Sequence, residues 1–402
     1  MKMQYRRNRV WKMFICMLQK REGERMKILQ TEIYKICTRK ILYLGLFAGL
    51  LFLGFYFWTG VLGGEYVYED GICYRRMEAI EKNLEAAKNY EGPLTREKAE
   101  DIIDTFGWTE YADNLKTDPE TGDTKKGYYE NACNRFVTES LSTRRWGSEF
   151  PALVRAQDVP EISALMDGGL EYAYGDVWGS DFLEMHMMAR LILAVLTVIA
   201  AAPVFSEEYA LGTVNVLMTT EYGRGKNAVC KAGAVLGLTG ILYLAVSGAL
   251  FALFAGVYGT EGLRASGELV FPDLYYMGAS RGTAGGLLLR YLLAGFLANI
   301  GTGGITLFIS SRCRQTFKSL LWSLFFYVLP LIMYSIILTM LGPSRTVILL
   351  RGIIGSLTLF MPMAELSSAS AVFRWSEYGI VAVVTVFCVL KGCRRYSRYQ
   401  IT

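Results

Sequence analysis

The side chains that could do enzyme chemistry are few in this 402-residue chain, and no known catalytic spacing brings them together. His186 is the only histidine, and no Cys-x-x-Cys pair, Cys/His cluster of zinc spacing, HExxH or GxSxG pattern occurs. The phosphate-binding pattern GxxxxGK[ST] is also absent; the nearest glycine-rich stretches, 282–286 and 301–304, lie near or within an apolar segment. We therefore predict a chain without catalytic residues, a metal site or its own nucleotide-binding site.

Cysteine usage is ordinary, with eight cysteines, of which only Cys73 and Cys133 lie in a long polar segment. On an oxidising side of a membrane these two could form a structural disulfide. Two free thiols are the alternative, because a sequence does not give the separation of their Cα atoms.

Long charge-free segments indicate that the chain lies in a membrane. Apolar residues make up 52% of it, and a helix needs about 20 apolar residues to cross a bilayer. Six segments are predicted to cross: 41–63, 185–205, 232–259, 291–311, 319–344 and 378–390. A further stretch around Pro362 is too short, so residues 347–367 are predicted to form a re-entrant or interfacial hairpin. The predicted fold class is an all-α polytopic membrane protein.

Charge polarity predicts the orientation. The segments 1–40, 206–231, 312–318 and 391–402 together hold 22 basic and 6 acidic residues. The insert 64–184 between the first two spans is acidic, with 26 acidic and 13 basic residues over 65–184. Both termini are therefore expected inside the cell, and the basic surface is expected to face anionic lipid rather than nucleic acid.

The insert 64–184 is predicted to be a mainly helical extracytoplasmic domain. Residues 75–89 show helical spacing, and Thr95 is a good N-cap for a second helix that ends at Gly107. We expect a loop at 117–126, a helix at 151–165 and no strong strand. An acid-rich surface without catalytic motifs favours recognition or gating over catalysis.

The first 40 residues are predicted to be a cytosolic basic arm followed by an amphipathic interfacial helix, 26–40. Residues 20–25 can all be encoded by purine-only codons directly before Met26, as in a translated ribosome-binding site. Met26 could thus be the true start; a genuine basic arm on the membrane surface is the alternative.

Two polar residues, His186 and Arg190, fall at the outer end of the second predicted span. Intramembrane charge is a hint of function. A depth of one or two turns instead favours snorkelling of Arg190 to the headgroups, which is the interpretation we prefer from the sequence.

The connection 206–231 between the second and third spans carries the most informative pattern. Acidic residues at its start suit a helix N-terminus, an apolar face follows, and basic residues mark the return to the membrane. A short helix held in the cytosol by two spans is a natural docking element for a soluble partner. The candidate docking residues are Glu207, Glu208, Gly212, Thr213, Leu217, Arg224 and Lys231.

This connection resembles the corresponding loop of the ABC-2 family of ABC-transporter permeases. The resemblance lies in an acidic residue, a Gly-Thr pair, an apolar pair, a Thr-rich turn, a basic residue and a final lysine: Glu208, Gly212-Thr213, Val216-Leu217, Thr219-Thr220, Arg224 and Lys231. It extends to the interfacial helix, the six spans and the hairpin 347–367, but not to the insert. The resemblance implies a coupling helix in this loop that touches a separate cytosolic ATPase.

The resemblance also implies the function: a permease subunit of an ATP-driven exporter in the bacterial cytoplasmic membrane. Its expected partners are an ABC ATPase that binds ATP, a second permease copy or a paralogue, and membrane lipids. A membrane-anchored sensor with an extracytoplasmic ligand domain is the alternative from another class. An ordinary amphipathic connector is the alternative for the loop itself.

Overall fold

A computed structural model describes residues 26–69, 72–106, 115–117, 124–126, 169–220, 223–271, 282–340 and 371–400. In chain order its helices are α1 (26–37), α2 (Lys40–Gly64, with a π-helical turn at Phe57–Val61), α3 (Met77–Lys88), α4 (Arg96–Phe106), α5 (Asp176–Gly179), α6 (Asp181–Ala201), α7 (Pro203–Ala210), α8 (Thr213–Thr219), α9 (Lys226–Tyr258), α10 (Gly267–Val270), α11 (Ala284–Ser310), α12 (Thr316–Met340) and α13 (Ala371–Ser397).

Four helical segments are long and apolar enough to cross a membrane: α2, the run from α5 to α7, α9 and α11. They contain or largely overlap the first four predicted spans, and the chain is a helical membrane protein. The fifth predicted span, 319–344, begins in α12 and extends beyond the described residues after Met340, and the sixth, 378–390, lies within α13. The apolar stretch found in α12, Thr316–Leu329, is shorter than a span. The six-span count and the placement of both termini inside the cell therefore remain predictions.

Helix α11 lies in the middle of the bundle, where it packs against α6, α9, α12 and α13. Its contact with α13 is close because glycines face that helix. A Cβ atom at Gly304 would lie 3.0 Å from Thr385 Cγ2, and one at Gly301 would lie 3.2 Å from Thr385 Oγ1. Small residues allow helix backbones to approach closely in membranes. Gly301 and Gly304 thus serve the close packing of α11 on α13.

The described part of the insert contains short strands as well as helices. They are β1 (Tyr66–Glu69), β2 (Ile72–Arg75), β3 (Gly92–Pro93), β4 (Leu115–Thr117), β5 (Thr124–Lys126) and β6 (Glu171–Tyr172), paired antiparallel as β1–β2, β3–β6 and β4–β5. The prediction of no strong strand is corrected here. Strands of two to four residues are too short to show an alternating pattern in the sequence.

The two helices predicted early in the insert are confirmed as α3 and α4. Thr95 is the expected cap, since its Oγ1 accepts a hydrogen bond from the Lys98 N–H at 3.3 Å. Side chains from both helices, including Ile80 and Ile102, belong to one hydrophobic cluster. The cluster also contains Trp178 of α5 and residues at the insert ends of α2 and α9, such as Phe57 and Phe254. The described part of the insert is thus seated on the bundle. The predicted helix 151–165 and the hairpin 347–367 lie outside the described residues.

Candidate functional site

The base of the bundle is defined here as the end that carries α1, the connection between α6 and α9, and the C-terminal end of α13. The connection begins at Pro203, which has no backbone N–H to continue α6. Hydroxyls of Ser206, Ser310 and Ser319 donate to the Ala202 carbonyl oxygen at 2.6, 2.7 and 3.0 Å. Ser310 Oγ also accepts two N–H groups of the first turn of α7, each at 3.1 Å. Three serines from α7, α11 and α12 thus fix the position at which α7 begins.

A glycine sets the direction of the next helix. Gly212 has φ = 68°, a left-handed conformation that side chains with a Cβ adopt at a cost, and it separates α7 from α8. Thr213 Oγ1 donates to the Glu208 carbonyl oxygen at 3.5 Å. After α8, Arg224 Nε donates to the Met218 carbonyl oxygen at 3.3 Å, which closes the loop before α9. The connection is therefore a compact pair of short helices.

A buried ion cluster ties this pair of helices to the rest of the base. Lys231 of α9 is only 2% exposed, and its Nζ lies 2.9 Å from Glu32 Oε2 and 2.7 Å from Glu208 Oε1. Glu32 of α1 and Glu208 of α7 are 7% and 9% exposed. The hydroxyl of Tyr396 on α13 donates a short hydrogen bond to the other Glu208 oxygen. Four helices thus meet at one lysine.

The electrostatics of the ion cluster favour the charged form of Glu32. Burial alone would raise the pKa of the Glu32 carboxyl, but Lys231 and Lys35 outweigh burial and hold this pKa below its ordinary value. Lys35 Nζ, which is half exposed, lies 2.7 Å from Glu32 Oε1. Burial and the bond to Glu208 raise the pKa of Tyr396, so its hydroxyl keeps the proton that it donates. Removing one partner of such a buried group leaves an uncompensated charge.

Some of the predicted docking residues are buried in the structure and others are exposed. Glu208 and Lys231 are buried in the ion cluster, where they hold the loop and cannot touch a partner in this conformation. Leu217 is half-buried, and the exposed members are Glu207, Gly212, Thr213 and Arg224. Glu207 Oε2 pairs with Arg39 at 2.8 Å, so it too connects the loop to the chain before α2.

Two exposed apolar side chains at the tip of the loop are not among the docking residues predicted from the sequence. Leu211 and Val216 are each 69% exposed. Leu211 ends α7 just before Gly212, and Val216 lies on the outward face of α8. An apolar residue directly before a turning glycine was the signal available in the sequence. A pair of large exposed apolar groups on a rigid polar loop is typical of a protein contact.

A second polar cluster lies inside the bundle and corrects the snorkelling interpretation of Arg190. This side chain is 8% exposed and lies among the hydroxyls of Tyr243, Tyr291 and Tyr327 rather than at the lipid headgroups. Gly295 of α11 makes room for it, since a Cβ there would lie 3.1 Å from Arg190 Nε and collide with the Tyr243 hydroxyl.

His186 and Asn299 extend this intramembrane cluster between helices. His186 Nε2 lies 2.9 Å from Ser247 Oγ, and its Nδ1 lies 3.3 Å from the Tyr291 hydroxyl. The Asn299 side chain accepts from Thr197 on α6 at 3.2 Å and donates to the backbone of α9 at 3.0 Å. A small cavity opens beside Arg190, lined by Arg190, Ala194, Gly295, Ala298, Asn299, Thr302 and Tyr327.

Among the residues that the structure describes, no three His, Cys, Asp or Glu side chains converge as metal ligands would. Cys73 is half-buried in β2, and Cys133 lies outside the described residues, so the disulfide remains a prediction. No model of a protein family matches the chain, and a search of curated proteins finds no match either.

Proposed function

We propose that this chain is the membrane-spanning subunit of an ATP-driven exporter of the ABC-2 type. It would work as a homodimer or with a paralogous permease, together with cytosolic ATPase subunits that bind the ATP. The observation that carries the proposal is the loop at the base. Its first short helix, α7, is fixed through Glu208 to Lys231 of α9 and Tyr396 of α13, and Lys231 also binds Glu32 of α1, while Leu211 and Val216 point away from the bundle.

A loop built in this way is suited to transmit force. An ATPase that binds Leu211 and Val216 and then moves would push α7, and α7 is joined to α9 and α13 through Glu208. The ends of three helices would therefore shift together rather than one by one. Packed helices that move as a rigid unit between two arrangements are a common basis of switching in proteins. In this proposal the base faces the cytosol of a bacterial cell.

The intramembrane cluster supports transport over the alternative of a simple membrane anchor. Helices that only anchor a sensor need apolar faces, and a buried charge in the membrane is expensive. This bundle nevertheless holds Arg190, His186 and Asn299 between α6, α9 and α11, beside a small cavity. If these helices move during transport, polar groups between them could bind a substrate along the translocation path.

The test is co-purification of the ATPase, with hydrolysis measured in reconstituted membranes. Val216→Asp and Leu211→Asp should each weaken binding about tenfold or more if these side chains are the hot-spot anchors of the contact, because loss of a hot-spot anchor costs about 2 kcal/mol or more and about 1.4 kcal/mol is tenfold. Ile72→Asp is the matched control, since Ile72 is also exposed and apolar but lies in β2 at the opposite end of α2. It should change neither binding nor hydrolysis.

If both loop variants bind the ATPase and stimulate its hydrolysis as the wild type does, this loop is only a connector and the sensor alternative is favoured. The neighbouring reading frame gives an independent check. An exporter subunit should lie beside a chain with phosphate-binding ATPase motifs, whereas a sensor should lie beside a kinase or a regulator.

A further inference from the structure

A concave surface at the base, distinct from the coupling loop, gathers cations from two parts of the chain. We call it the basic pocket; its charged lining is Arg312, Arg314, Lys391, Arg394, Arg395 and Arg398. Lys391, Arg394 and Arg395 recur on α13 at the spacing i, i+3 and i+4, which places them on one face of the helix, and Arg398 follows in the turn directly after α13. Arg312 and Arg314 come from the turn between α11 and α12, which faces them.

The basic pocket lacks counter-charges of its own. Among the described residues, its lining contains no carboxylate and none of these six cations forms an ion pair. The situation differs from that of Lys231, Lys35 and Arg39 nearby, each of which pairs with a glutamate. Six like charges in one concavity repel one another, and a bound anion would relieve that repulsion.

The chemistry of the lining fits phosphate. Five of the six cations are arginines, whose planar fork donates two parallel hydrogen bonds to phosphate oxygens. Tyr209 and Tyr399 also line the pocket and pack against each other in a tilted arrangement, with ring centroids 5.4 Å apart. Burial raises the pKa of Tyr209 to about 12, despite the opposing charge of Arg395, so its hydroxyl remains a donor at neutral pH.

The position of the pocket favours a lipid as the source of that phosphate. Arg312 follows the end of α11, and its guanidinium lies 4.4 Å from the ring centre of Phe308. Lys391 comes directly after the sixth predicted span, and its Nζ lies 5.5 Å from the ring centre of Phe387. Phe387 and Leu390 are both exposed on the side of α13, where acyl chains would run. The cations thus border an apolar surface of the kind that faces lipid.

We propose that the basic pocket binds the phosphate groups of an anionic membrane lipid. A headgroup with two phosphates, as in cardiolipin, matches the number of cations better than a headgroup with one. The lipid would hold α13 against the turn between α11 and α12 at the membrane surface. Basic pockets between membrane helices are suited to such headgroups, and each Lys or Arg near the surface contributes to the attraction.

The experiment titrates the full-length chain in detergent with cardiolipin, phosphatidylglycerol or phosphatidylcholine and follows bound lipid by native mass spectrometry. Wild type should bind cardiolipin most tightly. The double variant R395Q/R398Q should weaken cardiolipin binding about 25-fold, at about fivefold per arginine. The matched control K27Q/K40Q removes two exposed cations from the same end of the molecule, outside the pocket lining. It should change cardiolipin binding less than about fivefold.

Equal losses in the two double variants would mean diffuse surface charge and would overturn the proposal, as would equal binding of cardiolipin and phosphatidylcholine by wild type. Inorganic pyrophosphate, titrated without lipid, tests the soluble source. Saturable pyrophosphate binding that is tighter than cardiolipin binding and lost in R395Q/R398Q would assign the pocket to a soluble phosphate compound instead. Thermal unfolding in detergent checks the fold, and should R395Q/R398Q fail to fold, R398Q alone is expected to weaken cardiolipin binding about fivefold.

Discussion

Replacing Lys231 by methionine should destabilise the base of the bundle strongly. Lys231 is 2% exposed and pairs with Glu32 and Glu208 at 2.9 and 2.7 Å, so K231M leaves two buried carboxylates without their shared cation. Removal of one partner from a buried ion pair typically costs about 3–5 kcal/mol. K35M is the matched control, because Lys35 pairs with the same Glu32 at 2.7 Å but is half exposed. Exposed pairs contribute roughly 0–1 kcal/mol.

The pH dependence gives the sharper test. In the wild type the folded pKa of Glu32 is lowered, so its contribution to stability is present above the unfolded pKa and is lost as the pH falls through the folded pKa. Wild-type stability should therefore rise between about pH 3 and pH 6. In K231M burial of Glu32 is no longer offset by Lys231, so the pKa of the Glu32 carboxyl should rise and stability should improve as the pH falls.

The assay is thermal unfolding of the purified protein in detergent, followed by intrinsic fluorescence across this pH range. K231M should melt several degrees below wild type at neutral pH, and K35M within about a degree or two. The reasoning is refuted if K231M and K35M melt alike at neutral pH, or if K231M keeps the wild-type pH profile.

Three further outcomes are expected. Gly212→Val should cost roughly 1–2 kcal/mol through its left-handed backbone, although no atom lies within 4 Å of a Cβ there, and Gly212→Asn should restore most of the melting temperature. Gly304→Leu should cost about 1–3 kcal/mol by overpacking against Thr385, seen as a lower melting temperature; an unchanged value would argue against close packing of α11 on α13. An impermeant thiol reagent should label Cys73 but not Cys313 in intact cells, and labelling of Cys313 from outside would overturn the predicted orientation.

Much of the local structure could be predicted from the sequence. Charge-free length identified the four helical segments that are long and apolar enough to cross a membrane in the described part of the chain, because a helix in a bilayer must be apolar over the full hydrocarbon thickness. Helical spacing and a capping threonine located α3 and α4, because these signals lie within a few residues of one another. The short strands were missed, since two to four residues carry too little pattern.

The functional sites depended on tertiary contacts that local patterns do not contain. Glu32 and Lys231 are 199 residues apart, and nothing near either residue predicts their pairing. The burial of Arg190 was likewise decided by packing. A membrane span is apolar on its lipid face as well as on its packed face, so hydrophobic periodicity does not show which side turns inward.

The sequence by itself therefore determined that the chain crosses a membrane, where its helices lie and which connection resembles a docking loop. Only the tertiary structure decided that Glu208 and Lys231 hold this loop from within, that Leu211 and Val216 form its exposed tip, and that six cations of the base line one pocket. The reason is physical: composition and spacing set the environment of each helix, whereas the rotation and contacts of the helices follow from packing between residues distant in the chain.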